Sequence, residues 1–93
     1  MNPKKKDVDY GALQSAWTRI PRIDTATARD LLDLGFEHPD QIIGRAPEVL
    51  FEQVLEKKPN TPRARLHLFR LAVYYAETPE PDPAKLHPSA WAD

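Results

Sequence analysis

Apolar residues recur along the chain at the three- and four-residue spacing of amphipathic helices. Five stretches follow this spacing: 13–20, 28–35, 39–43, 47–55 and 62–76. The last contains the run LHLFRLAVYYA, which is apolar on most sides and therefore predicts the central, most buried helix. No stretch alternates as a half-buried strand does. The pattern predicts an all-α domain of five helices.

Prolines and glycines lie at the boundaries of these stretches. Four prolines stand just before an apolar stretch: Pro39, Pro47, Pro62 and Pro83. Proline is tolerated at the first position of a helix because its missing N–H would have no partner there. Thr61 and Asp82, which precede two of these prolines, are suitable N-cap residues. Gly35 and Gly44 predict the ends of the second and third helices.

The 93 residues correspond to one domain. We expect a flexible basic arm at 1–9, a helical domain at 10–76 and a proline-rich tail at 77–93 that packs back through Trp91. The predicted core comprises Leu13, Trp17, Leu31, Leu32, Leu34 or Phe36, Ile42, Leu50, Val54, Leu66, Phe69 and Val73.

Composition excludes several classes of protein. There is no cysteine, so no disulfide framework exists. No run of 18 apolar residues predicts a membrane span, and the basic start is not followed by the apolar stretch of a secretory signal. We therefore expect a cytoplasmic protein with no membrane partner.

Charge is segregated along the chain, although the formal net charge is only −1. The net charge is +3 over residues 1–23, −6 over 24–56, +5 over 57–70 and −3 over 77–93. A nearly neutral total argues against a dedicated nucleic-acid binder. The segregation nevertheless allows one basic face.

The stretch from Ile20 to Ala28, IPRIDTATA, resembles the residue pattern of a helix-hairpin-helix motif. That motif reads apolar-Pro-Gly-apolar-Gly, then two variable residues, a small residue and Ala. The chain as a whole resembles a group of short bacterial helix-hairpin-helix proteins labelled "pathogenicity locus", also called mitomycin-resistance-like. The resemblance covers roughly residues 13–93 and rests on RDLLDLGF, DQIIGRAPEVLFEQVLEKK, LHLFRLAVYYAE and a Trp-containing end. It implies a SAM-like arrangement of helices and binding to DNA backbone phosphates.

Two departures from the motif bear on that function. Arg22 and Asp24 occupy the positions of the two glycines, which in the family allow positive φ and close approach to a phosphate. Arg22 could itself contact phosphate. Asp24 could adopt the left-handed region, or it could cap the second helix and occupy the N–H groups that a phosphate would use. The hairpin is therefore expected to keep its fold and to bind phosphate more weakly.

The densest basic cluster is Lys57, Lys58, Arg63, Arg65 and Arg70. It is either a phosphate-contacting stripe or a solvated helix start with an arginine paired to the acids of 24–56. His38, His67 and His87 lack metal-ligand spacing, and His38 and His87 each precede a proline, where a capping or turn role is expected. No catalytic motif is present, so we expect no enzyme activity, metal or cofactor.

The sequence thus favours weak, sequence-independent DNA binding. A protein-interaction module that keeps the fold without the phosphate-binding hairpin is the alternative. The candidate DNA-contacting residues are Arg19, Arg22, Ile23, Asp24, Thr25, Thr27, Arg29, Arg63 and Arg65.

Overall fold

The computed structural model describes residues 8–93, which contain helices and no strand. Four α-helices are present in this range: α1 (Tyr10–Leu13), α2 (Thr25–Asp33), α3 (Pro47–Lys57) and α4 (Ala64–Glu77). Short 3₁₀ turns cover Ala16–Arg19, Pro39–Ile42, Pro83–Lys85 and Pro88–Trp91. The all-α prediction is confirmed, and the prediction of five helices is wrong, since two of the predicted helices are wholly or partly 3₁₀.

The predicted first helix is interrupted at Ser15. Ser15 is extended (φ −78°, ψ 164°), and its hydroxyl donates to the Ala12 carbonyl oxygen at 2.6 Å. A serine side chain that bonds to a nearby backbone group competes with helix continuation. The 3₁₀ turn that follows has three residues per turn, so Trp17 and Ile20 share its buried face. Leu13 is left 47% exposed, and its predicted place in the core is wrong.

The C-terminal end of α2 and the start of α3 lie where proline and glycine predicted them. Gly35 has φ 97°, and its N–H donates to the Leu32 carbonyl while Phe36 N–H donates to that of Leu31. This pair of bonds is the Schellman motif, which satisfies the last carbonyls of a helix. Pro47 is the first residue of α3, as predicted. α4 begins at Ala64, two residues after the predicted start at Pro62.

α4 is the central helix. Six of its residues are buried: Leu66, Leu68, Phe69, Leu71, Ala72 and Val73. The rest of the predicted core is buried at Trp17, Leu31, Ile42, Leu50 and Val54, while Leu32, Leu34 and Phe36 are partly buried against it. Ala12, Ile20, Ala28 and Phe51 complete the core without having been predicted.

The chain flanking the helices is tied to the body at both ends. Most of the predicted basic arm, residues 1–7, lies outside the described residues. Asp9, its last member, caps α1 by accepting from the Ala12 N–H at 3.0 Å. At the other end, Trp91 lies 5.2 Å from the Tyr74 ring of α4, and its indole N–H donates to the Lys85 carbonyl at 2.7 Å.

Candidate nucleic-acid interface

The hairpin, residues 20–24, joins the 3₁₀ turn Ala16–Arg19 to α2. Ile23 N–H donates to the Ile20 carbonyl at 3.3 Å, and Arg22 has φ 68°. Proline at the second position and positive φ at the third are the features of a type II turn, which ordinarily places glycine there. Arg22 is the only non-glycine residue with positive φ in the described part of the chain. The turn therefore has at Arg22 the backbone conformation that a type II turn ordinarily gives to glycine.

Asp24 caps α2, as one of the two interpretations of its role predicted. Its backbone is extended (φ −88°, ψ 170°), not left-handed, and its carboxylate accepts from the Thr27 N–H at 2.8 Å. The preceding N–H groups, those of Thr25 and Ala26, donate to no acceptor within residues 8–93. One N–H at this helix end is thus bonded to a carboxylate, and two have no acceptor within residues 8–93.

The other side chains in and beside the hairpin differ in accessibility. Ile23 is half-buried and packs against the core, which anchors the turn. Thr25 is also half-buried. Thr27 is fully buried, so its side chain does not form part of the surface that the sequence suggested. Arg19 and Arg22 are exposed and make no ion pair within the described residues.

Arg29 is held by carboxylates. Its guanidinium donates to Asp9 at 2.6 and 2.7 Å and to Asp33, one turn along α2, at 3.1 Å. The hydrogen bonds from Arg29, followed by that from the Ala12 N–H, hold the pKa of the Asp9 carboxyl well below its usual range. Arg29 is therefore already neutralised, and the structure gives it a role in fixing the start of the domain to α2.

The buried carboxylate of Asp30 forms ion pairs with two residues of the predicted basic cluster. Its side chain is 1% exposed and accepts from Lys58 Nζ at 2.9 Å and from a guanidinium nitrogen of Arg65. Arg65 is itself only 14% exposed. These three residues, the Asp30 cluster, join α2 to the end of α3 and the start of α4. The interpretation that an arginine pairs with the acids of 24–56 is confirmed here, and Arg65 is not available at the surface.

Arg63, the N-cap of α4, and Arg70 within α4 contact the C-terminal segment. Arg63 donates to the Asp93 carboxylate, and Arg70 donates to the same group at 2.9 Å and to Glu48 at 3.3 Å. The hydrogen bonds from Arg63 and Arg70 hold the pKa of the Asp93 carboxyl well below its usual range. The basic cluster of 57–70 is thus largely matched by acids from elsewhere in the chain.

Asp30 and Asp93 are the charge partners of the basic cluster that the sequence did not reveal. A signal for Asp30 existed, because it lies three residues after Thr27 and four before Leu34, which places it on the inward stripe of α2. No comparable signal marks Asp93. His38 and His87 each stand at the N-cap of a 3₁₀ turn, in line with the expected capping or turn role: the ring of His87 accepts from the Ser89 N–H at 3.2 Å, and the backbone N–H of His38 donates to the Gln41 side chain at 3.0 Å.

Within residues 8–93, none of the helices combines the length and the apolar character that crossing a membrane requires.

Comparison with curated proteins and with solved structures finds no match. Comparison with protein families matches residues 12–92 to the family described as Pathogenicity locus. The matched region includes the hairpin, all of α2 to α4 and the returning C-terminal segment. With this match over most of its length, the chain belongs to the Pathogenicity locus family.

Proposed function

We propose that this protein is a non-enzymatic, degenerate helix-hairpin-helix protein that binds DNA weakly and without sequence preference through the backbone phosphates. The observation that carries the proposal is the positive φ of Arg22. A residue with a side chain rarely adopts this conformation, which costs free energy. Its retention here is expected if the turn serves to present the start of α2 to a ligand.

The chemistry around the turn supports an anionic ligand. The N–H groups of Thr25 and Ala26 point out of the positive end of the α2 dipole, and phosphates bind at such helix ends. Arg19 and Arg22 add two exposed positive charges beside them. Asp24 opposes binding because its carboxylate occupies the Thr27 N–H and repels phosphate. We therefore expect weak binding.

Fluorescence anisotropy with labelled duplex and branched DNA at low salt tests the proposal. The affinity should be similar for unrelated sequences and should fall with salt at a logarithmic slope of about 3 or less, because few phosphates are neutralised. The double variant Arg19→Gln/Arg22→Gln should lose most of the binding. Arg45→Gln is the matched control, since Arg45 is an exposed cation stacked on Phe36 beyond the opposite end of α2. Equal binding by both variants would refute the hairpin as the contact.

The alternative is a protein-interaction module, and one observation favours it. α1 exposes Tyr10 (59%) and Leu13 (47%), which lie three residues apart and share one helix face, and Val8 is exposed beside them. Exposed apolar patches mark interaction surfaces. If no DNA binding occurs at tens of micromolar protein, sedimentation of the wild type against Leu13→Gln becomes the deciding measurement. A self-association that Leu13→Gln abolishes would support the alternative.

A further inference from the structure

Three residues of α4 and its N-cap form a stripe that faces one carboxylate. Arg63, His67 and Arg70 lie four and three residues apart, so they share one side of the helix. Arg63 and Arg70 each donate to a different oxygen of Asp93, and His67 Nε2 lies 3.7 Å from one of them. This set, the α4 stripe, converges on a single anion in the way that arginine-based oxyanion sites do.

The Asp93 carboxylate leaves one polar atom of the α4 stripe without a hydrogen bond. Both Asp93 oxygens are engaged by arginines, while His67 Nε2 is buried and has no hydrogen-bond partner within the described residues. A buried polar atom without a partner requires an explanation. A carboxylate is planar and offers two oxygens, whereas a phosphate is tetrahedral and offers more. A phosphate at the position of Asp93 would have a further oxygen to direct at His67.

The pair that Arg63 and Asp93 form is also exposed to solvent, whereas Arg70, the second partner of Asp93, is only 20% exposed. The side chains of Arg63 and Asp93 are 62% and 48% exposed, and ion pairs between exposed groups contribute little to stability. The segment is held to α4 by other contacts, including the Trp91 ring on Tyr74 and the bond from Arg70 to the Trp91 carbonyl at 2.7 Å. Loss of the Asp93 contact therefore leaves the rest of the segment attached.

We propose that Arg63, His67 and Arg70 form a second phosphate-binding site, and that Asp93 occupies it as an intramolecular competitor. The ligand class is a phosphate group, and its assignment to a nucleic-acid backbone rests on the function proposed above. The site would add one phosphate contact on α4 to those made by the hairpin.

Titration with inorganic phosphate tests the site without reference to DNA. In Asp93→Asn, the NMR signals of the His67 ring and of the Arg63 and Arg70 Nε groups should shift and should saturate at several-fold lower phosphate than in the wild type. Glu80→Gln is the matched control, because it removes the same charge from the same segment away from the stripe. Adding Arg63→Gln to Asp93→Asn should weaken the binding again. Equal affinity of Asp93→Asn and Glu80→Gln, or shifts elsewhere than α4, would overturn the site.

Anisotropy with duplex DNA identifies the source of the phosphate. Asp93→Asn should bind more tightly than the wild type, and its logarithmic salt slope should be steeper by about 1, as expected for one added phosphate contact. Glu80→Gln should not change the slope. If the phosphate titration behaves as expected and no variant binds DNA, the site stands and the proposed DNA function fails. If Arg19→Gln/Arg22→Gln abolishes DNA binding while Asp93→Asn changes neither titration, the DNA function stands and the second site fails.

Discussion

Replacing Arg22 separates the role of its backbone from that of its side chain. At φ 68° a residue with a Cβ is strained by about 1–2 kcal/mol, which glycine avoids. Glycine in turn loses more backbone entropy on folding, at a cost of about 0.4–1 kcal/mol. Arg22 is exposed and has no ion-pair partner within residues 8–93, so loss of its side chain removes little else. The net result for Arg22→Gly is a gain of about 0.8 kcal/mol in the free energy of unfolding.

Urea and thermal denaturation followed by circular dichroism measure this gain. For a domain of this size it corresponds to a rise in Tm of roughly 3–6 °C. Arg22→Ala is the control, because alanine removes the same side chain and keeps the strained Cβ. It should remain within about 0.5 kcal/mol of the wild type, the usual range for a surface substitution.

DNA affinity should move in the opposite direction. Both Arg22→Gly and Arg22→Ala remove one cation from the proposed interface, so both should weaken binding, and the logarithmic salt slope should fall by about 1. The glycine variant would thus be more stable and bind less tightly. The reasoning is refuted if Arg22→Gly is less stable than the wild type, or if the glycine and alanine variants are equally stable, because the turn would then impose no strain.

Three further outcomes are expected. Asp24→Gly should change the free energy of unfolding by only a few tenths of a kcal/mol, because glycine is a tolerable N-cap. It should raise DNA affinity in anisotropy, because the variant frees an N–H and removes a negative charge. Unchanged affinity would mean that the hairpin does not face DNA. Asp30→Asn leaves the largely buried Arg65 without its counter-charge and should cost about 3–5 kcal/mol in urea denaturation, a loss below about 1 kcal/mol being inconsistent with the buried pair. Because the pKa of Asp9 is lower in the folded protein than in the unfolded chain, the stabilisation from its bonds with Arg29 is complete above about pH 4 and declines as the pH falls further. Asp9→Asn should therefore show a flatter loss of Tm between pH 4 and pH 2, and parallel curves for variant and wild type would contradict this.

The sequence by itself determined the features that depend on residues within one helical turn of each other. Pro47 begins α3 and Gly35 ends α2, since each acts on backbone groups at most four residues away. For Asp24 the sequence left two interpretations, and the structure selected the N-cap. The helical spacing of apolar residues likewise identified α4 as the central helix. The local reasoning failed at Ser15, where the bond from its hydroxyl to Ala12 breaks the predicted helix although the apolar spacing continues across it.

Only the tertiary structure decided what the charged residues do. Arg29 pairs with Asp9 across 20 positions of sequence, Arg65 with Asp30 across 35, and Arg63 with an acid 30 positions away. These partners are brought together by the packing of helices that are distant in the chain, and an ion pair leaves no periodic trace in the sequence. The same packing buries Asp30 and leaves Arg19 and Arg22 exposed, because burial depends on every element that surrounds a side chain. A basic segment could therefore be read from the sequence, but which of its charges remain available to a phosphate could not.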